Sequence, residues 1–230
     1  MIWIKYISFA LSISLILGNN LTTRQSYEEL KHPNSLIHPT SNITNILRNG
    51  YGDLNSSEII ELRELGIEQK NGRLQSFSPN DLDRVHETDH FKIHYTLTGN
   101  DAVLNSEYIY TMGEIYEDVW SFFIDTLNYD PPIGSNSDTN NLYKIYVENL
   151  PSFYFGITYV EDEIDTNFSC TSFIKMRNNY SSSQFNEHTE IENIKVTAVH
   201  EFFHSIQFGY NCYEKLWLME ATAVWSEDQL

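Results

Sequence analysis

Two histidines four residues apart, with a glutamate beside the first, stand in Val196–His204, V-T-A-V-H-E-F-F-H. On an α-helix, positions i and i+4 share one face a turn apart, so His200 and His204 can offer ring nitrogens to one ion from one side. Zn²⁺ takes imidazole nitrogen at about 2.0–2.1 Å in a tetrahedral shell, and in catalytic sites one position is left to water. Glu201 projects about 100° around the helix from His200, beside that water without being a ligand. There it can accept the water's proton as the water adds to a carbonyl, and hand it to the leaving amine. H-E-x-x-H is therefore a spacing that assembles a metal and a base. Ile194, Ala198, Val199, Phe202, Phe203 and Ile206 make the same helix apolar nearly all round, which implies burial. Buried ionisable groups are costly unless paired or bound to metal, so the two histidines and the glutamate need a partner such as zinc.

A catalytic zinc needs a third protein ligand. The three-histidine pattern H-E-x-x-H-x-x-G-x-x-H fails, because Gln207 occupies the glycine position and Tyr210 the last histidine. Sixteen positions after His204, Glu220 lies in W-L-M-E-A-T-A-V-W, Trp217–Trp225. Trp217, Leu218, Ala221, Val224 and Trp225 form a broad apolar stripe, and Glu220 falls on its edge, where a second helix could present a carboxylate. Glu227 and Asp228, in a polar tail, suit solvent better. The expected ligands are His200, His204 and Glu220, the expected ion is Zn²⁺, and Glu201 is the expected general base.

H-E-F-F-H followed by W-L-M-E-A resembles the gluzincin pattern, in which the third ligand is a glutamate on the next helix, as in thermolysin-like and aminopeptidase N-like enzymes. The run from H-F-K-I-H-Y-T-L-T-G-N-D-A-V (His90–Val103) through V-T-A-V-H-E-F-F-H-S-I-Q-F-G-Y to the end is similar to a family of secreted bacterial metalloproteases first noticed in myxobacteria. The resemblance spans roughly His90–Leu230. It implies zinc on His200, His204 and Glu220, Glu201 as catalytic acid and base, and peptide or protein substrates. The absence of a G-x-M-E-N-like signal favours an endopeptidase. The implied fold is α+β and zincin-like, a small mixed sheet of about four strands packed on a long helix and the active-site helix. Two departures stand out. The glutamate comes earlier than in thermolysin-like enzymes, and no downstream His or Tyr matches the usual oxyanion stabiliser, for which Tyr210 and Tyr213 are the nearest candidates. Zincins add a further subdomain after this point, so the catalytic domain is expected to continue past Leu230.

The 230 residues carry 32 acidic and 14 basic side chains, a formal charge of −18. That sign disfavours nucleic acid and anionic membrane surfaces as partners. Met1–Leu17 has one early charge, Lys5, and an apolar run of 12 residues from Tyr6 to Leu17. The run is shorter than the roughly 20 residues that span a bilayer, and reads as a secretory signal ending near residue 21, with an uncleaved anchor as the alternative. Residues 22–88 are rich in Asn, Ser and charge, with one amphipathic helix expected from Ser56, capped by a serine. They read as a propeptide or linker, or else as an extension packed on the enzyme. Residues 89–230 form the expected catalytic domain. In a secreted chain the two cysteines, Cys170 and Cys212, suggest a disulfide.

Within that domain, Phe91–Thr98, Leu142–Glu148, Phe155–Val160 and Phe168–Arg177 read as strands, and Ala102–Leu127 as a long amphipathic helix. By resemblance to zincins, the strand Phe168–Arg177 is expected at the sheet edge, where an extended substrate could add as a further strand. The acidic run Glu161–Asn167 fits no EF-hand spacing. A competing reading keeps the metal but not the turnover, making the chain a metal-binding surface or adhesion module on a zincin scaffold.

Overall fold

The computed structural model describes residues 21–32, 38–70, 73–77, 82–134, 142–151, 153–163 and 168–230. All but the last residue of the signal segment, and residues 164–167 of the acidic run, lie outside them. The chain divides into two units, one drawn from Met1–Pro79 and Tyr213–Gln229, the other from Asn80–Cys212 and Leu230.

The first unit begins with α1 (Thr23–Lys31). The Thr22 hydroxyl accepts from the Gln25 amide, and the Gln25 side chain accepts from the Thr22 amide, a reciprocal cap that satisfies two otherwise orphaned donors. α2 (Pro39–Asn49) has Pro at its first position, where a missing N–H costs nothing, and stops at Gly50, whose φ of 76° suits glycine. α3 (Ser56–Glu64) is capped by Asn55, which with Glu58 forms a second reciprocal cap. The helix expected from Ser56 is therefore present, with its cap one residue earlier and carried by an asparagine. β1 (Ile67–Lys70) and β2 (Arg73–Ser76) pair antiparallel.

Tyr27, Leu30, Ile43, Ile46, Leu54, Leu62 and Ile67 are buried here. Much of the rest of α2 is polar yet equally buried: Thr40, Ser41, Asn42, Thr44 and Asn45. Asn45 shows how such a face is satisfied, its amide donating to the Leu21 carbonyl at 2.7 Å and to Ser26 Oγ at 2.9 Å.

The second unit is built on a five-stranded sheet ordered β3-β4-β5-β7-β6. β3 (Arg84–Glu87) is an edge strand that the sequence pattern did not suggest, antiparallel to β4 (Phe91–Tyr95). Alternation in β4 buries Phe91, Ile93 and Tyr95. The long helix follows as α4 (Ser106–Trp120), capped by Asn105, and its last turn widens into a π-helical segment, Ser121–Thr126. Glu117 ties it to the sheet, accepting from Thr88 Oγ1 at 2.5 Å and the His90 amide at 2.9 Å, with His90 Nδ1 at 2.6 Å. The His90 ring stacks on Trp120.

β5 (Tyr143–Glu148) runs parallel to β4, β6 (Gly156–Glu163) antiparallel to β7, and β7 (Cys170–Arg177) parallel to β5. β7 is thus interior, and β6 is the edge. The expectation that Phe168–Arg177 forms the edge is corrected: that strand pairs on both sides and every residue of β7 is buried. Lys175 is 2% exposed and meets the Glu148 carboxylate at 3.1 Å.

α5 (Glu190–Asn211) begins at Thr189, which forms a third reciprocal cap with Glu192, and packs on β6 and β7. Cys170 and Cys212 form a disulfide that joins the start of β7 to the end of α5. The architecture is α+β, with five strands in the main sheet where about four were expected. The last helix, α6 (Leu216–Glu227), belongs to the first unit, where it packs on α2. There the Arg48 guanidinium donates to the Glu214 carbonyl at 3.1 Å and lies over the Tyr213 ring. Among the described residues, no helix is long and apolar enough to cross a membrane.

Candidate metal centre

α5 is anchored through one side by aromatic packing. Phe202 meets Phe91, Trp120 and Tyr143, while Phe203 meets Phe123 and Tyr129. With Phe202 and Phe203 fixed, the helical period fixes the directions of His200, Glu201 and His204. All three are buried, His200 at 6% exposure and the other two at 0%.

The two imidazoles meet edge to face, with their Nε2 atoms 3.1 Å apart. Two ligand atoms about 2.0–2.1 Å from a tetrahedral zinc would stand roughly 3.3 Å apart, so the pair fits the spacing that one ion requires. His204 is oriented from behind, its Nδ1 lying 2.8 Å from Gln207 Oε1. An amide oxygen can only accept, so Nδ1 carries the proton and Nε2 presents its lone pair. Gln207 entered the sequence reading only as the residue that ruled out a third histidine. One turn after His204, it is the outer partner that selects the tautomer, and its i+3 spacing was the available signal.

Glu201 turns toward the edge strand. Thr158 Oγ1, on β6, stands 2.7 Å from Glu201 Oε2 and 2.8 Å from the Glu201 carbonyl oxygen, so its single proton is shared between two acceptors. Ser205 Oγ donates to the same carbonyl at 3.1 Å and accepts from Tyr143 OH at 2.8 Å. The carboxylate is thereby held between helix and sheet edge. The approach is close: a Cβ at Gly156 would lie 2.6 Å from Thr197 Cγ2 and 3.0 Å from Glu201 Cγ.

Glu220 sits on α6 in the other unit. Its Oε1 accepts from Ser41 Oγ at 2.5 Å. A ring nitrogen of His38, at the N-cap of α2, lies within 4.8 Å of a Glu220 carboxylate oxygen. A histidine nitrogen and a carboxylate oxygen are therefore close neighbours within this unit. Of the two tyrosines considered for oxyanion stabilisation, the Tyr210 hydroxyl accepts from the Asp130 amide at 3.0 Å, and the Tyr213 ring lies under Arg48. His94 is half-buried and stacks on Tyr146, a strand residue rather than part of the centre.

His200 and His204, with one tautomer of His204 selected by Gln207, are donors that suit a borderline-soft divalent cation, and their burial makes bare charge costly. No family model matches the chain, and no characterised protein or solved structure is significantly similar to it.

Proposed function

We propose that this chain is a secreted zinc metallopeptidase, with His200, His204 and Glu220 as metal ligands and Glu201 as the proton-transferring group. The observation that carries the reading is the convergence of two buried Nε2 atoms to 3.1 Å, with the carboxylate of the neighbouring Glu201 held by Thr158. The sequence pattern of a downstream helical glutamate supports Glu220, as does the orientation of its carboxylate by Ser41.

A zinc ion bound by these ligands supplies Lewis acidity and a water of lowered pKa. Glu201 receives the proton on a carboxylate oxygen and returns it to the amine released from the substrate. Thr158 keeps the carboxylate from swinging away between those two steps. β6, the edge strand of the sheet, carries Thr158 against Glu201.

The test is elemental analysis of the purified chain together with a casein-type cleavage assay, with and without chelator. One equivalent of zinc, lost in His200→Ala, and cleavage abolished in Glu201→Gln with zinc retained, is the expected result. Zinc without cleavage under any condition would overturn the peptidase and leave a metal-binding module. No zinc would overturn both.

A further inference from the structure

We infer that His38 is a protein ligand of the same ion that Glu220 binds, so that the first unit contributes a histidine as well as a carboxylate. This rests on the metal reading above and goes beyond it, because nothing in the H-E-x-x-H pattern or the downstream glutamate points to residue 38. A His38 ring nitrogen and a Glu220 oxygen lie within 4.8 Å, while any two ligand atoms of a zinc tetrahedron stand about 3.3 Å apart, so a modest side-chain adjustment lets both reach one ion.

Three local features hold the pair. Pro39 fixes the start of α2 directly after His38. Ser41 Oγ, three residues on, donates to Glu220 Oε1 at 2.5 Å. The Thr40 amide donates to His38 Nδ1 at 3.4 Å, a long bond that positions the ring and costs little to give up. The carboxylate partner of a ligand set and its supporting hydroxyl therefore flank the imidazole within one helical turn.

The consequence is a change in coordination number. His200, His204 and Glu220 would leave one tetrahedral position to water, whereas adding His38 fills it. Zinc sites with four protein ligands are structural and closed, and those with three are open for catalysis. With His38 on the ion cleavage is slowed rather than absent, and displacement of His38 raises it.

The experiment uses the full chain loaded with zinc and the variant His38→Ser, since serine preserves an N-cap without offering an imidazole. X-ray absorption counts histidines around the metal, competition with a chromogenic chelator measures affinity, and casein cleavage reports opening. The inference expects three imidazoles in the unaltered chain and two in His38→Ser. Affinity should fall by more than the roughly 10–100-fold typical of losing an outer-shell partner, and cleavage should rise. Two imidazoles in both proteins, with equal affinity, would overturn the inference and leave the metal reading standing. Failure of the unaltered chain to bind zinc, or binding that survives His200→Ala, would instead overturn the metal reading itself. The histidine count in the unaltered chain decides the matter even if the variant does not fold.

Discussion

Substituting Gly156 by alanine should destabilise the sheet-bearing unit through a single methyl group. The added Cβ would stand 2.6 Å from Thr197 Cγ2, 3.0 Å from Glu201 Cγ and 3.2 Å from Met176 Sδ. Non-bonded carbons rest at about 3.5–4.0 Å, so strand and helix must part by roughly 1 Å or Thr197 must leave its rotamer. Threonine on a helix has few rotamers to choose from, and overpacking of this kind costs about 1–3 kcal/mol. At about 2 kcal/mol, the melting temperature should fall by roughly 4–8 °C for a domain of this size. The assay is thermal unfolding followed by circular dichroism on the single variants Gly156→Ala and Thr197→Ser and on the double variant. Thr197→Ser removes the atom at 2.6 Å, so the double variant should be more stable than the sum of the singles predicts, by more than about 0.5 kcal/mol. Rescue should be partial, because Glu201 Cγ remains close. A Gly156→Ala protein that melts with the parent, or strictly additive effects, would refute the claim that β6 and α5 are in contact here without room for a side chain.

Closing the loop between Cys170 and Cys212, 42 positions apart, should contribute about 4 kcal/mol by the chain-entropy relation, and a Cys170→Ser, Cys212→Ser chain should show a correspondingly lower urea midpoint. The Lys175–Glu148 pair is buried, and burial pushes the lysine pKa down. Glu148→Gln or Lys175→Met alone should cost about 3–5 kcal/mol by urea titration, and replacing both with apolar residues should cost less than either single change. Burial raises the Glu117 pKa, but hydrogen bonds from Thr88 and His90 outweigh it and hold the carboxyl below its ordinary value of 4.5. The stability this group supplies is present above that value and lost as pH falls through the lowered one. Thr88→Val should therefore move acid unfolding, followed by circular dichroism, to higher pH, and an unmoved transition would remove Glu117 from the account.

The helix bearing His200, Glu201 and His204 was legible because its spacing and its apolar surroundings agree, and β4 and β5 because their alternation is plain. Strand order was not legible: pattern gives a strand but not its neighbours, so the edge was assigned to the strand carrying Cys170 when it is the one carrying Thr158. Of the N-terminal helices, α3 was legible, and α1 and α2 were not. α2 buries Thr40, Ser41, Asn42, Thr44 and Asn45, satisfying side chains such as Asn45 with hydrogen bonds that composition cannot reveal. His38 belongs to the same blind spot, a residue whose meaning depends on a helix more than 170 positions later in the chain.

That helix has a bearing on how the protein comes to be made. α2 leaves the ribosome well before α6 is synthesised, yet both belong to one compact unit, and Met219 and Ala223 of α6 are buried. At roughly 5–20 residues per second, the nascent chain spends on the order of ten seconds or more with the N-terminal helices lacking their last partner. The sheet-bearing unit is complete in sequence by Cys212 and can mature first. Vectorial synthesis thus completes the helix of His200 and His204 before Glu220 exists, and the first unit is the last to close.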